Sequence, residues 1–244
     1  MTASTFVTDA GIQVPAVTAE QMREVDRLAI EEVGPNLYQM MENAGRSLAL
    51  TVLDAMGGAS APQPVVVLAG TGGNGGGGIC AARHLANRGV DVTVVLSELP
   101  GLKAVTEEQL STYRGTGGRV ASLDELPERE AGVVVDAIIG YSLGGAPRDA
   151  PREMIEWTIA QTVPVICLDV PSGIDATSGE APGAHVLASA TLTLALPKTG
   201  LDVAAVGDLF LADIGILREV YRRSGIDVPA HVFGERYRVS VRPQ

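Results

Sequence analysis

The run Val65-Val66-Val67-Leu68-Ala69 ends in Gly70-Thr71-Gly72-Gly73-Asn74-Gly75-Gly76-Gly77-Gly78, and the small-residue segment Ile79-Cys80-Ala81-Ala82-Arg83-His84-Leu85 follows. An apolar β-branched run stopped by glycine and continued by helix formers spells a strand, a tight turn and a helix start. Seven glycines among the nine residues 70–78 exceed what a turn requires. The first-turn amides of a helix lack intrahelical acceptors and carry the positive end of its dipole, and glycine lets a phosphate approach the main chain. The junction predicts a nucleotide or other phosphorylated ligand at the carboxyl end of this strand. The competing reading, a flexible loop with no ligand, is disfavoured by the entropy that ordered glycine loses.

Downstream, apolar runs over 90–96, 133–139, 163–168, 191–196 and 209–214 are interleaved with helical patterns over 104–113 and 151–160. Continuous β-branched strands separated by helices indicate a parallel sheet covered on both faces, so the fold class is α/β, doubly wound, in one three-layer domain over 1–244. A chain of 244 residues, 46% of them hydrophobic, fills one large core. Upstream, Thr18-Ala19-Glu20-Gln21 is a capping-box pattern, and Met22, Val25, Ala29 and Val33 continue it at helical spacing to Gly34-Pro35. A second helix over 37–56 presents Met41, Ala44, Leu48, Val52 and Ala55 on one face, its methionines reading as core filler. Residues 1–17 show no period and are expected to form an arm against a neighbour. Residues 218–244 are expected to form a helix and a tail whose Tyr237, Val239 and Val241 alternate as an edge strand.

The net charge is −11, from 18 basic and 29 acidic residues, and the basic ones are scattered. That balance argues against nucleic acid or an anionic membrane as partner and leaves local backbone dipoles to hold an anion. No apolar run approaches the roughly 20 residues of a membrane span. The amino terminus has no signal pattern, so a cytoplasmic location is expected. Cys80 and Cys167 lie in apolar contexts and read as buried free thiols, while His84, His185 and His231 show no metal-ligand spacing with them.

Two further strand ends carry chemistry. Val135-Asp136-Ala137-Ile138-Ile139-Gly140 and Leu168-Asp169-Val170-Pro171-Ser172-Gly173 each set a carboxylate in an apolar strand just before a turn. Such a carboxylate is costly unless it is paired, hydrogen-bonded or bound to a cation. Two of them suggest a shared site; the alternative is that each only caps its turn, as Asp175, Thr177 and Ser178 look suited to do. Lys198, directly after a strand, reads either as a phosphate contact or as a solvated turn residue. Gly70-Thr71-Gly72-Gly73-Asn74-Gly75 satisfies the dinucleotide fingerprint GxGxxG, but its acidic companion is at best Glu98, and neither Tyr113 nor Tyr141 has a lysine four residues on. No Gly-Lys-Ser/Thr follows, which excludes a Walker loop.

Met40-Met41-Glu42-Asn43-Ala44-Gly45, the glycine loop with Ala81-Ala82-Arg83-His84-Leu85, the stretch 136–140 and Asp169-Val170-Pro171-Ser172-Gly173-Ile174-Asp175 occur in one order. Together with Pro197-Lys198-Thr199-Gly200-Leu201 and Asp213-Ile214-Gly215-Ile216, they resemble the NAD(P)H-hydrate epimerases, the YjeF N-terminal domain family, over residues 18–217. The resemblance implies a Rossmann-like domain, usually a homodimer, that interconverts the R and S forms of hydrated NADH and NADPH without a redox cofactor. A separate NAD(P)H-hydrate dehydratase then consumes the S form. By motif position, Gly72, Gly73, Asn74, Gly75, Gly76 and Gly77 would lie along the substrate. Ala137, Ile138, Ile139, Gly140, Tyr141, Ser142 and Leu143 would wrap its phosphates. Asn74, Asp136 and Ser172 would hold a potassium ion, and Lys198 is a further candidate for phosphate. Asp169 would contact the hydrated nicotinamide and transfer protons, with Asp136 positioning the cation.

The family loop resembles Gly-x-Gly-Asn-Asn-Gly-Gly-Asp-Gly, and this chain has Gly73 and Gly77 where the first asparagine and the aspartate stand. Loss of those polar groups keeps two alternatives open at the sequence level: a divergent enzyme of the same fold acting on another small molecule, and a binding module without catalysis.

Overall fold

The computed structural model describes residues 5–58, 63–98, 101–128 and 131–244. Its centre is one ten-stranded sheet, in which β1 is Thr5–Thr8, β2 Gln13–Pro15, β3 Val65–Ala69, β4 Val92–Leu96 and β5 Arg119–Ala121. The remaining strands are β6, Val133–Ala137; β7, Val165–Leu168; β8, Ala190–Leu194; β9, Asp208–Ala212; and β10, Arg238–Pro243. The order is β2-β1-β10-β9-β8-β7-β6-β3-β4-β5, parallel from β9 through to β5 and antiparallel from β9 to β2.

Six α-helices among the described residues accompany the sheet: α1, Ala19–Leu28; α2, Leu37–Ala55; α3, Gly73–Ala86; α4, Ala104–Arg114; α5, Asp149–Ile159; and α6, Arg218–Arg223. The capping box read at Thr18 and Gln21 is formed, and α1 runs on as a π-helical turn, Ala29–Val33, to Gly34. Asn36 and Gln39 build a second capping box for α2.

Strand residues alternate between two cores, as a pleat of period two requires. Val65, Val67 and Ala69 of β3, with Val133, Val135 and Ala137 of β6, pack under α1, α2, α3, α4 and α6. Val66, Leu68, Val134 and Cys167 face the other way, against Met154 and Ile155 of α5.

Two expectations change, and one strand is added. Residues 5–15 of the arm form β1 and β2, which pair with each other and with β10 as part of the chain's own sheet, while residues 1–4 lie outside the described residues. The alternating tail is β10, an interior strand between β1 and β9, and the edge is β2. Short β5, which no apolar run in the sequence marks, closes the other edge.

The chain runs outward from β3 through β4 to β5, then returns to β6 on the other side of β3. The carboxyl ends of β3 and β6 thus flank a topological switch point, where α/β sheets place their ligands. The glycine loop, the 138–148 loop, Asp169 and Lys198 leave four neighbouring strands, β3, β6, β7 and β8, at this end.

Candidate active site at the sheet's switch point

The glycine loop turns directly into α3, whose N-cap is Gly72 and which has no side-chain cap. Its carbonyls are engaged elsewhere: Lys103 donates its amide to Thr71 O at 3.0 Å, and Thr106 donates its hydroxyl to Gly72 O at 2.9 Å. The uncapped first-turn amides at residues 73–75 therefore remain as an anion cradle. The turn is tight enough that a Cβ at Gly75 would lie 1.8 Å from Gly70 O, so packing fixes that glycine. A Cβ at Gly73, by contrast, would meet nothing within 4 Å.

Above this turn opens a cavity of about 430 Å³, within the range of small-molecule sites. Of the residues expected at the substrate, Gly73, Asn74, Gly77, Gly140, Tyr141, Ser142 and Asp169 line it. Gly75 and Gly76 are buried inside the first turns of α3, Gly72 is its cap, and Ala137 and Ile138 are buried at the end of β6. Ile139 donates its amide to Ser172 Oγ at 2.9 Å, and Leu143 lies on a neighbouring depression with Pro147 and Pro151.

The two strand-end carboxylates occupy different places. Asp169 is 3% exposed, lines the cavity and has φ of 69°, a left-handed backbone uncommon for a residue with a side chain. Its amide donates to Leu192 O at 2.7 Å, and its carboxylate accepts from the amides of Tyr141 and Leu194, each at 3.3 Å, and from Lys198 Nζ. Lys198 is 1% exposed and also donates to Leu194 O at 2.9 Å and to Thr193 Oγ1 at 3.3 Å. This corrects one reading of Lys198: it is no solvated turn residue, and on the cavity wall its ammonium protons are directed to Asp169 and two β8 acceptors.

Asp136 is 0% exposed and does not line the cavity. Standing between Val134 and Ile138, it shares their face of the sheet, away from α3. Its carboxylate accepts from Ser172 N at 2.8 Å, Ser172 Oγ at 2.5 Å and Ile138 N at 3.2 Å. Burial raises its pKa, and those hydrogen bonds only partly oppose that. Burial, with the Asp136 carboxylate beside it, also pushes the Cys167 thiol well up. The expectation that both carboxylates converge on one cleft thus holds for Asp169 alone; Asp136 lies beneath, joined to the 139–141 loop through Ser172.

Arg23 and Asp26 of α1 and Lys103 at the start of α4, which no sequence motif marks, also line the cleft. Asp26 accepts a 2.6 Å hydrogen bond from Tyr141 Oη. Met40 and Met41, read as core filler, are buried and also line the cavity. Asp175 is the turn former expected, accepting from the amides of Thr177 and Ser178.

Both cysteines are free and buried, as expected. The structure nonetheless brings Cys80 and His84, four residues apart on α3, to Glu42 of α2, with donor atoms within 4.8 Å of one another. An Arg83 guanidinium nitrogen already stands among them, 3.5 Å from Cys80 Sγ and 3.4 Å from His84 Nε2, and hydrogen-bonded to Glu42. The cluster is a charge-satisfied contact between helices, and burial holds the Cys80 thiol up at about 12.

The switch-point cavity and its uncapped helix define an α/β domain of the Rossmann-like, small-molecule-binding class. The model of the YjeF-related protein N-terminus matches residues 37–200, and the chain belongs to that family. A protein of Dehalogenimonas lykanthroporepellens named NAD(P)H-hydrate epimerase is 51% identical over 91% of this chain and 90% of its own length. A Salinibacter ruber protein named bifunctional NAD(P)H-hydrate repair enzyme Nnr is 36% identical over 83% of this chain, which spans 41% of that protein. The crystal structure of yeast ynu0 shares the fold, with a TM-score of 0.77 at 23% identity over 88% of this chain and 95% of that one. Among the described residues, no helix is long and apolar enough to cross a membrane.

Proposed function

We propose that this chain is an NAD(P)H-hydrate epimerase, interconverting the R and S epimers of hydrated NADH and NADPH. The observation that carries the reading is Asp169: a buried, ion-paired carboxylate in a strained backbone, lining the cavity opened by an uncapped glycine-rich helix. Strained backbone and buried charge persist where function holds them.

The chemistry asks little of the protein. Carbon 6 of the hydrate bears a hydroxyl beside the ring nitrogen, whose lone pair expels the oxygen and leaves a planar iminium. Water then adds to either face. Catalysis needs an acid for the departing oxygen and a base for the returning water, each worth typically about 10²–10⁴-fold. In this reading Asp169, on the cavity wall, carries that transfer, and the amides at residues 73–75 would receive the pyrophosphate. The 140–142 loop, tethered to Asp169 through the Tyr141 amide at 3.3 Å, forms the wall beside it.

Asn74, Asp136 and Ser172 would hold a potassium ion. Asp136 offers that role a buried carboxylate whose accepted hydrogen bonds all come from neutral groups, and Asn74 Oδ1, beside Gly140 on the cavity wall, is the carbonyl oxygen that would join it. Hard monovalent cations favour such carboxylate, carbonyl and hydroxyl oxygens. Held by these residues, the ion would supply a positive charge to offset the buried Asp136 carboxylate. The family resemblance further implies a homodimer, a cytoplasmic location and a separate dehydratase that consumes one epimer. Relatives named as bifunctional repair enzymes support that last link.

The test is to add the purified chain to one separated epimer in ¹⁸O-labelled water and follow the other by chromatography and mass. Interconversion faster than the spontaneous rate, with solvent oxygen in the product, is expected. A rate equal to the uncatalysed one overturns the reading.

A further inference from the structure

Tyr141 holds a carboxylate at each end: its phenol donates to Asp26 Oδ2 at 2.6 Å, and its amide donates to Asp169 Oδ2 at 3.3 Å. Asp26 and Asp169 both line the cavity, Asp26 from α1 and Asp169 from the end of β7. Only one oxygen of Asp26 has a hydrogen-bond partner among the described residues. The two carboxyl groups thus stand at opposite ends of one tyrosine on the wall of one cavity, and paired carboxyls flanking a reacting centre can divide the acid and base roles between them.

We propose that Asp26 is the second proton-transfer residue of this cleft, acting on the face of the reacting carbon opposite Asp169. The inference rests on the epimerase reading and supplies the group that reading lacks. In one direction the C6–O bond breaks with its electron pair going to oxygen, and that oxygen takes the proton of the Asp26 carboxyl and leaves as water. The ring nitrogen's lone pair forms the C=N bond. A second water forms the new C6–O bond on the other face, the π pair returns to nitrogen, and the surplus proton of that water goes to Asp169. The two protons exchange through solvent, and the reverse direction swaps the roles. A single carboxylate would have to reach both faces, which one held by Lys198, the Tyr141 and Leu194 amides and the Thr193 hydroxyl does not do.

The surroundings favour the protonated form of Asp26. Burial raises the Asp26 pKa, and the Tyr141 hydrogen bond and the Lys198 charge oppose that rise while the Asp169 charge adds to it. Arg23 of the same helix lies near Tyr141, and Tyr221 of α6 lies within electrostatic reach of Asp26. Lys198 itself stands 5.8 Å from the Tyr141 ring centroid. Because the protonated form is the working acid, kcat/KM falls as pH rises through this pKa.

The experiment compares wild type, Asp26→Asn, Asp26→Glu and Tyr141→Phe on one epimer of NADPH hydrate across pH. A wild-type chain without activity sinks the epimerase reading itself. With wild type active, Asp26→Asn is expected to lose about 100-fold or more in kcat with KM nearly unchanged and to lose the alkaline limb. Asp26→Glu restores part of kcat together with the limb. Tyr141→Phe removes a hydrogen bond that lowers the Asp26 pKa and moves the limb to higher pH, a readout that does not need the asparagine variant to fold. Asp26→Asn with wild-type kcat and pH profile, or Tyr141→Phe with an unmoved limb, overturns the inference.

Discussion

Lys198 and Asp169 form a buried ion pair across the ends of two neighbouring strands, the lysine 1% and the aspartate 3% exposed. An ammonium and a carboxylate at that depth are tolerable only together, so each side chain fixes the other's place in the cleft wall.

Breaking the pair from the lysine side tests this. Lys198→Met leaves a buried carboxylate without its counter-charge, which costs about 3–5 kcal/mol. The urea midpoint is expected to fall accordingly, and epimerisation to fall with it. A midpoint equal to that of wild type would show that the pair does not hold the wall.

The glycine loop separates packing from chemistry. Gly75→Ala drives a methyl to 1.8 Å from Gly70 O and is expected to destabilise by at least about 2 kcal/mol. Gly73→Asn projects into open space, and stability within about 0.5 kcal/mol of wild type is expected, with activity kept or raised. Gly77→Asp lies between, because its Cβ falls 2.7 Å from the buried Leu168 Cδ2, which must move. Thermal unfolding ranks the three; an order other than Gly73→Asn, Gly77→Asp, Gly75→Ala, from mildest to worst, contradicts this reading.

Cation binding is read from thermal unfolding in potassium chloride against choline chloride at equal ionic strength. A ligand present at several times its Kd stabilises the native state by about 1 kcal/mol. Wild type is expected to gain Tm in potassium, and Asp136→Asn to gain none. Equal shifts in the two proteins would remove Asp136 from the ion site.

Much of this was legible in local pattern. The Thr18 capping box, the β3-turn-α3 unit and the strand-end aspartates each depend on residues within a few positions of one another, and each is where the pattern put it. The facing of Asp136 was legible too: with Val135 and Ala137 directed to the helix-rich face, period two sends Asp136 to the other. Asp26 left no such trace, because its partner Tyr141 is 115 residues away and only the sheet's return to β6 brings them together. The tail looked like an edge for the same reason. β1 spans only four residues, with Phe6 its one large apolar side chain, and its pairing outside β10 is a long-range event.

The most direct measurement is the epimerisation rate of Asp169→Asn beside wild type under one set of conditions. The substitution keeps the shape of the side chain and removes its ability to take a proton. A fall of about 10²–10⁴-fold in kcat is expected, with the protein still folded by circular dichroism. A folded Asp169→Asn that interconverts the epimers at the wild-type rate would contradict the account at its centre.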